Sequence, residues 1–223
     1  MVTKKITQIV IQQKRKNRCS IFLDDEFAFG LNEDVVFQYG LKKGDELTEK
    51  QVEEILVSEE KKAAKERALN LLSFRDRSEK ELRTKLKQAG FQEANVDSAI
   101  DELKRLRFID DRKFAMNFAQ SKMMAKPLGE FLLRRELKQK GIDEEIIEQV
   151  IENIFGETDQ VALALRIAGQ KLRQIKNLDE TKKKRRVSDL LLRRGFNWDV
   201  VSQVLDQWDD LGATDEGPDA NGG

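Results

Sequence analysis

A helical pattern that recurs three times constrains the fold of this chain more than any other feature. The first copy, Leu82–Ile100, has two apolar residues four positions apart, a glycine followed by an apolar residue, and a second apolar pair four positions apart. The same pattern returns at Leu133–Ile151 and at Val187–Leu205. Its central glycine recurs after 51 and then 54 residues. This spacing predicts a helical module that the chain uses three times.

Local signals within each copy support two helices separated by a glycine stop. Ser78 and Glu81 have the spacing of a capping box, and Gly90 fits the left-handed position that ends many helices. A unit of about three helices is too small to bury its apolar stripe well alone. We therefore expect a mainly α fold, in which tandem three-helix repeats share a continuous surface in an elongated, curved array.

The N-terminal region has a different character. Residues 4–31 predict three short strands, with Asp24-Asp25-Glu26 as a tight hairpin turn that lacks the usual glycine. The basic segment Lys14–Arg18 is either a phosphate contact or a solvated hairpin tip. Asn32 is a predicted cap for a short helix, and a capping box at Thr48 then begins one long helix or two.

The repeats and the flanking composition predict five segments along the chain. They are a β-rich N-terminal segment leading into a helix (1–60), helical repeat one (61–107), repeat two (108–156), repeat three (157–210) and a disordered acidic tail (211–223).

Composition argues against most enzyme classes. The 223 residues include one cysteine, Cys19, and no histidine, which excludes an intrachain disulfide, Cys/His zinc sites and histidine-based catalysis. No phosphate-binding G-x-x-x-x-G-K-[ST] loop is present, and helix capping explains the Asp110-Asp111 pair. No apolar run is long enough to span a bilayer, and the N-terminus lacks the apolar core of a signal peptide. We expect a soluble, cytoplasmic protein that is not an enzyme and has no metal or cofactor.

Charge is balanced overall but segregated along the chain. Lysine plus arginine equals aspartate plus glutamate, at 41 each. Residues 24–60 hold 12 acids and 3 bases, whereas residues 166–194 hold 11 bases and 3 acids. This asymmetry favours a basic face that meets a polyanion or an acidic protein.

The candidate binding residues are cations within or beside the repeated helices. They are Arg75, Arg77, Arg134, Arg135, Lys182, Lys183, Lys184, Arg185, Arg186, Arg193 and Arg194. Placed in three stacked repeats, they would form a stripe that pairs with phosphates or with acidic side chains. The alternative is pairing within helices, for which Glu81 and Lys85 have the favourable order.

Four blocks within residues 63–208 together resemble the RecX family of recombinase regulators. These blocks are Leu71-Leu72-Ser73-x-Arg75-x-Arg77-Ser78-x2-Glu81-Leu82-x3-Leu86-x3-Gly90-Phe91, Ile109-Asp110-Asp111-x2-Phe114-Ala115-x2-Phe118, Pro127-x-Gly129-x6-Glu136-Leu137-x2-Lys140-Gly141-Ile142 and Leu191-x-Arg193-Arg194-Gly195-Phe196. One departure is Arg107, where the family usually has glycine before an apolar residue.

The resemblance implies a monomeric, non-enzymatic negative regulator of homologous recombination and the SOS response. Such proteins lie in the groove of the RecA nucleoprotein filament, inhibit RecA ATPase, strand exchange and coprotease activity, and promote filament disassembly. Single- or double-stranded DNA is a further implied partner, and a membrane is not. Two other functions remain open: a DNA-binding module that needs no RecA, and a general helical scaffold.

Overall fold

The computed structural model of the chain describes residues 3–13 and 15–209, without the side chains of residues 15 and 16. The chain divides into two compact units, Met1–Asp110 and Asp111–Gly223. The first unit contains a small sheet and the first helical repeat, and the second contains the other two repeats. The predicted acidic tail and Lys14 of the basic segment lie outside the described residues.

The N-terminal segment forms a four-stranded antiparallel sheet in the order β3-β2-β1-β4. Its strands are β1 (Thr3–Gln12), β2 (Arg15–Leu23), β3 (Glu26–Asn32) and β4 (Glu46–Thr48). The three expected strands are present, whereas β4 is an addition that the sequence did not predict. Three residues are too few to show an alternating pattern, and Leu47 is held by its pairing with Lys4 of β1.

The β2–β3 hairpin turn forms without glycine, as predicted. Asp24 and Asp25 both have positive φ, at 50° and 70°, and the turn is closed by the pair Leu23 and Glu26. Aspartate tolerates this backbone region better than most residues. The turn is also anchored to β1, because Asp24 Oδ1 accepts the Lys5 N–H at 3.0 Å.

Two helices follow the hairpin, and both begin at predicted caps. Helix α1 is Glu33–Gln38, and its cap Asn32 accepts the Asp34 N–H. Helix α2, Glu49–Phe74, is one helix of 26 residues and begins at a complete capping box formed by Thr48 and Gln51. Its first half packs on the sheet and its second half belongs to repeat one.

A buried ion pair joins the sheet to α2. Glu59 of α2 is only 8% exposed. Its carboxylate lies 2.8 Å from the Arg18 guanidinium and accepts a hydrogen bond of 2.6 Å from the backbone N–H of Asn32. Arg18 also donates to the Gly30 carbonyl at 3.1 Å. The last arginine of the predicted basic segment is therefore a structural residue, and it is neither a solvated tip nor a phosphate contact.

The remaining helices make up the three repeats. They are α3 (Glu79–Gln88), α4 (Glu93–Arg105), α5 (Asp111–Ala125), α6 (Glu130–Gln139), α7 (Glu144–Phe155), α8 (Gln160–Gln174), α9 (Glu180–Arg193) and α10 (Trp198–Asp206). The end of α2 with α3 and α4 forms repeat one, α5–α7 form repeat two, and α8–α10 form repeat three. The mainly α prediction is confirmed.

Each repeat is built around the apolar stripe that the sequence showed. Leu86, Leu137 and Leu191 occupy equivalent positions, and all three are completely buried. Within the second unit, repeats two and three have separate cores and do not share one continuous core. In each repeat, a helix pair and a third helix enclose one core. The repeat is stabilised because the apolar side chains of its own helices are buried there.

The recurring glycines end the middle helix of each repeat. Gly90, Gly141 and Gly195 have φ of 93°, 80° and 84°, a region that glycine adopts at little cost. In each case the following N–H bonds back to the buried leucine carbonyl five residues earlier, at 3.1–3.3 Å. Arg107 takes the same place after α4, with φ of 59°. The motif therefore forms there without glycine.

Candidate functional site

The basic run of repeat three lies on a rigid helix. Asp179 caps α9 by accepting the Lys182 N–H at 2.9 Å, so Lys182–Arg186 form its first turns. The run and the apolar stripe of repeat three therefore belong to the same helix. Val187 and Leu191 anchor α9 in the core of repeat three. Hydrogen bonds from Lys182 lower the pKa of Asp179, which keeps the capping carboxylate charged.

Four cations lie on the side of α9 opposite its buried residues, and we call them the outer face of α9. This face consists of Lys182, Arg185, Arg186 and Arg193, at spacings of three, four and eleven residues from the first. All four are exposed. Within the described ranges, the three arginines have no hydrogen-bond or ion-pair partner. They present positive charge that contacts within the chain do not neutralise.

The lysines of the run are held more closely by the protein. Lys182 pairs with the capping aspartate at 2.9 Å, and Lys183 pairs with Glu180 at 2.8 Å. Lys184 Nζ lies 5.5 Å from the ring centroid of Trp208, close enough for a cation–π contact. Trp208 in turn donates its indole N–H to Glu180 at 2.9 Å. Of the five successive bases, Arg185 and Arg186 are the most available to a partner.

The two arginines before α3 are engaged at the joint between α2 and α3. Arg75 makes two bonds to the Glu81 carboxylate, at 2.9 and 3.2 Å, and is about half exposed. Arg77 is partly buried and donates its Nε–H to the Leu71 carbonyl at 3.1 Å. The Glu81–Lys85 pair that illustrates the alternative of pairing within helices does not form, because Arg75 bonds the Glu81 carboxylate and Lys85 bonds Gln88.

The two arginines of α6 differ sharply from each other. Arg134 bonds Glu130 at 2.8 Å and Glu148 at 2.9 Å, so it fastens α6 to α7. Its hydrogen bonds to Glu148 and then to Glu130 raise the pKa of the guanidinium. Arg135 lies on the side of α6 opposite the buried Leu133 and Leu137, is exposed, and has no side-chain partner among the described residues.

The Arg134 network has a counterpart in repeat one that the sequence analysis missed. Arg83 lies 51 residues before Arg134, bonds Glu79 at 2.7 Å and also bonds Asp97 of α4. The signal was present as Glu-x3-Arg followed by an acid 14 residues on, repeated at the period of the glycines. Repeat three carries Ser188 at the equivalent position, so its cations are not bound in this way.

A backbone joint connects repeats two and three at the end of α9. The Arg194 carbonyl accepts the Gly129 N–H at 2.8 Å, and the Gly195 carbonyl accepts the Phe131 N–H at 3.2 Å. Arg194 itself donates to the Pro127 carbonyl at 3.3 Å. Gly129 stands where repeat one has serine because a Cβ there would lie 2.4 Å from the Gly195 oxygen. Arg194 is thus partly structural, whereas Arg193 beside it is exposed.

Residues 3–13 and 15–209 contain neither a metal-binding cluster of side chains nor a membrane-spanning helix. No group of three or more His, Cys, Asp and Glu side chains in these ranges is arranged to hold a metal ion. No helix in them is both long and apolar enough to cross a bilayer.

Four family models match the chain in order. The N-terminal domain of regulatory protein RecX matches residues 4–48, and the first, second and third three-helix domains of RecX match residues 64–103, 110–151 and 157–205. The regulatory protein RecX of Bacillus licheniformis is 35% identical over 92% of this chain and 77% of its own length. The chain belongs to the RecX family.

Other RecX proteins and solved RecX structures agree with this assignment. The regulatory protein RecX of Clostridium acetobutylicum is 30% identical, over 90% of this chain and 94% of its own length. A crystal structure of regulatory protein RecX superposes with a TM-score of 0.71 at 32% identity, covering 91% of this chain and 99% of that one. RecX from Lactobacillus salivarius gives a TM-score of 0.59 at 25% identity, with 68% and 98% covered. The predicted resemblance is confirmed.

Proposed function

We propose that this chain is a negative regulator of homologous recombination and the SOS response. In this proposal it binds the RecA–DNA filament and inhibits RecA ATPase, strand exchange and coprotease activity. Membership of a family of regulatory proteins supports the regulatory role. The observation that carries the binding proposal is the outer face of α9, whose three arginines have no partner within the described residues.

A protein filament on DNA has two features that suit binding by the outer face of α9. It carries a dense row of phosphates, and it repeats the same protein surface at each subunit. Guanidinium groups bond phosphates and carboxylates in the same forked geometry. Arg135 on α6 supplies a further exposed cation from the neighbouring repeat of the same unit. We propose that these groups act in the cytoplasm as binding residues of a monomer, without catalysis by the chain itself.

The engaged cations take supporting roles in this proposal. Arg77 and Arg134 hold helix ends and helix pairs together, so their loss would disturb the surface indirectly. Arg75 keeps about half of its side chain exposed while it bonds Glu81. It can contact a partner from a fixed position, because its guanidinium is already oriented.

A second candidate function is direct DNA binding without RecA. A shallow cavity of about 400 Å³ beside the α8–α9 connection is lined by Arg173, Lys176 and Arg186, with no carboxylate in its walls. Such a group of cations suits a phosphate. This function predicts tight binding that weakens steeply with salt, because each phosphate contact releases counterions.

A salt titration separates the two functions. Filter binding of the purified chain to single-stranded DNA is measured from about 50 to 200 mM salt, with and without RecA bound to the DNA. We expect weak retention on DNA alone and strong retention on the RecA filament. Equal affinity with and without RecA would favour the DNA-binding module. A variant with alanine at Lys42, Lys43, Lys50 and Lys61 removes four exposed cations of the first unit, and it controls for a general loss of positive charge.

A further inference from the structure

A cavity of about 440 Å³ lies beside the joint between repeats two and three, and we call it the joint cavity. Its walls come from the end of α5 and the loop after it, the first turns of α6 and the last turn of α9. All of these elements belong to the second unit, and the backbone bonds between Gly129 and Arg194 fix their positions. The volume is in the range that accepts one or two side chains of a partner.

The walls of the joint cavity carry an excess of positive charge. Four cations and one carboxylate, Glu136, line it. Lys122 lies 2.7 Å from that carboxylate and neutralises it. The other three cations, Lys126, Arg193 and Arg194, are left without an acid in the lining. The cavity therefore favours an anionic occupant.

One of these cations points to a missing acceptor. Arg194 donates one terminal N–H to the Pro127 carbonyl, but its Nε is buried and has no hydrogen-bond partner. A buried donor without an acceptor is costly, which leaves the Arg194 guanidinium poorly bonded within the chain. Its second terminal nitrogen also has no partner among the described residues, so a ligand oxygen can bond that nitrogen. Lys126 and Arg193 are exposed at the rim, where they can bind the same ligand.

The floor of the cavity decides between a nucleic acid and a protein. It is aliphatic, with Leu128 buried and Leu132 and Leu190 half-buried. No aromatic side chain lines it, so it offers no aromatic ring on which a base can stack. An aliphatic side chain next to a carboxylate fits both the floor and the cations.

We propose that the joint cavity binds an acidic segment of a partner protein. A glutamate or aspartate carboxylate bonds Arg194 and the two rim cations, and an adjoining aliphatic side chain packs on the leucine floor. This deepens the proposed function, on which it rests for the identity of the partner. The joint cavity, with Arg193 at its rim, binds the protein part of the filament, and Lys182, Arg185 and Arg186 of the outer face of α9 are left for phosphates.

Fluorescence anisotropy tests the site directly, without RecA. One probe is a fluorescein-labelled peptide of glutamate, leucine and glycine, and the other is a labelled oligothymidylate of equal charge. The charge variant is Lys126→Glu with Arg193→Glu, at two exposed positions. The matched control is Lys182→Glu with Arg185→Glu, which changes the charge equally on α9 but outside the cavity. Leu190→Trp fills the cavity without changing charge.

We expect the charge variant and Leu190→Trp each to weaken peptide binding about tenfold, and the control by less than about twofold. Oligothymidylate binding should fall in the control and stay unchanged in Leu190→Trp. No peptide binding by the natural chain, or an equal loss in the charge variant and its control, would overturn the site. If Leu190→Trp fails to fold, as judged by its melting temperature, the two charge variants decide alone. Failure of the proposed function would appear instead in RecA assays, which this experiment does not use.

Discussion

The backbone N–H of Gly129 donates to the carbonyl of Arg194 over 2.8 Å, although 65 residues separate them. A second bond, from Phe131 to Gly195, lies beside it. Both carbonyls belong to the end of α9 and both N–H groups to the start of α6, so two helix ends satisfy each other's free groups. The helix dipoles of α9 and α6 therefore meet head to tail. Repeat three is attached to repeat two through backbone, which requires glycine on both sides.

The first prediction concerns Gly195→Ala, compared with the equivalent Gly90→Ala. Both glycines have positive φ, so alanine should cost each helix end about 1 kcal/mol. A Cβ at Gly90 meets nothing within 4 Å, whereas at Gly195 it lies 2.3 Å from Leu132. We expect Gly195→Ala to lower the free energy of unfolding by a further 2–3 kcal/mol, roughly.

Chemical denaturation measures this difference. Circular dichroism follows both variants, and tryptophan fluorescence follows the second unit, because both tryptophans, Trp198 and Trp208, lie in repeat three. Gly195→Ala should shift the fluorescence transition and Gly90→Ala should not. Equal losses of stability in the two variants would show that the joint is not tightly packed.

The second prediction is that Arg107→Gly stabilises the first unit. Arg107 has φ of 59°, in the left-handed region that costs a side chain roughly 1 kcal/mol. Its N–H and that of Phe108 complete the same end motif that the three repeat glycines form. Glycine there should raise the free energy of unfolding by about 1 kcal/mol.

The matched control for that change is Arg105→Gly. It removes the same charge two residues earlier, at the last residue of α4, where the backbone is still helical and glycine lowers helix stability by up to roughly 1 kcal/mol. Urea denaturation should therefore move the two variants in opposite directions. Destabilisation by Arg107→Gly would mean that contacts of the Arg107 side chain stabilise the fold by more than its positive φ costs.

The third prediction is an acid dependence that comes from Glu79. Burial alone would raise the pKa of Glu79, but hydrogen bonds from Lys104 and Arg83 outweigh it and lower the pKa below 4.5. A carboxylate with a depressed pKa stabilises the fold above its unfolded pKa, and this stabilisation is lost as the pH falls through the folded pKa. Glu79→Gln should lower stability at neutral pH by roughly 1 kcal/mol.

The slope of stability with pH is the measurement for this prediction. Unfolding of the natural chain should become easier between about pH 5 and pH 3, and less so in Glu79→Gln. Arg83→Met, which removes one of the two donors, should flatten the slope partly. A variant that keeps the full natural slope would show that other carboxylates account for it.

Much of this fold follows from local chemistry that a sequence displays directly. The caps at Asn32, Thr48 and Ser78 and the stops at the repeat glycines depend on residues within four or five positions of each other. Each could be predicted because one residue type satisfies the free groups of a helix end. The apolar stripe between them predicted which leucines are buried.

The features that escaped prediction depend on partners far along the chain. Strand β4 exists because β1 accepts it, and Arg18 is turned inward by Glu59, which lies 41 residues later. Gly129 takes the place of the serine cap of repeat one because the Gly195 carbonyl lies against it. In the candidate site, sequence identified the cations but could not separate exposed Arg135 from Arg134, which bonds two glutamates.

In the proposed function, the outer face of α9 binds the RecA filament. The most direct test of this binding is the DNA-dependent ATPase of RecA, measured with the natural chain and with Lys182, Arg185, Arg186 and Arg193 replaced by alanine. The variant with four alanines at exposed lysines of the first unit is the control. We predict inhibition by the natural chain and the control, and at least about tenfold weaker inhibition by the α9 variant. Equal inhibition by all three would contradict the assignment of this face, and no inhibition by the natural chain would contradict the proposed function.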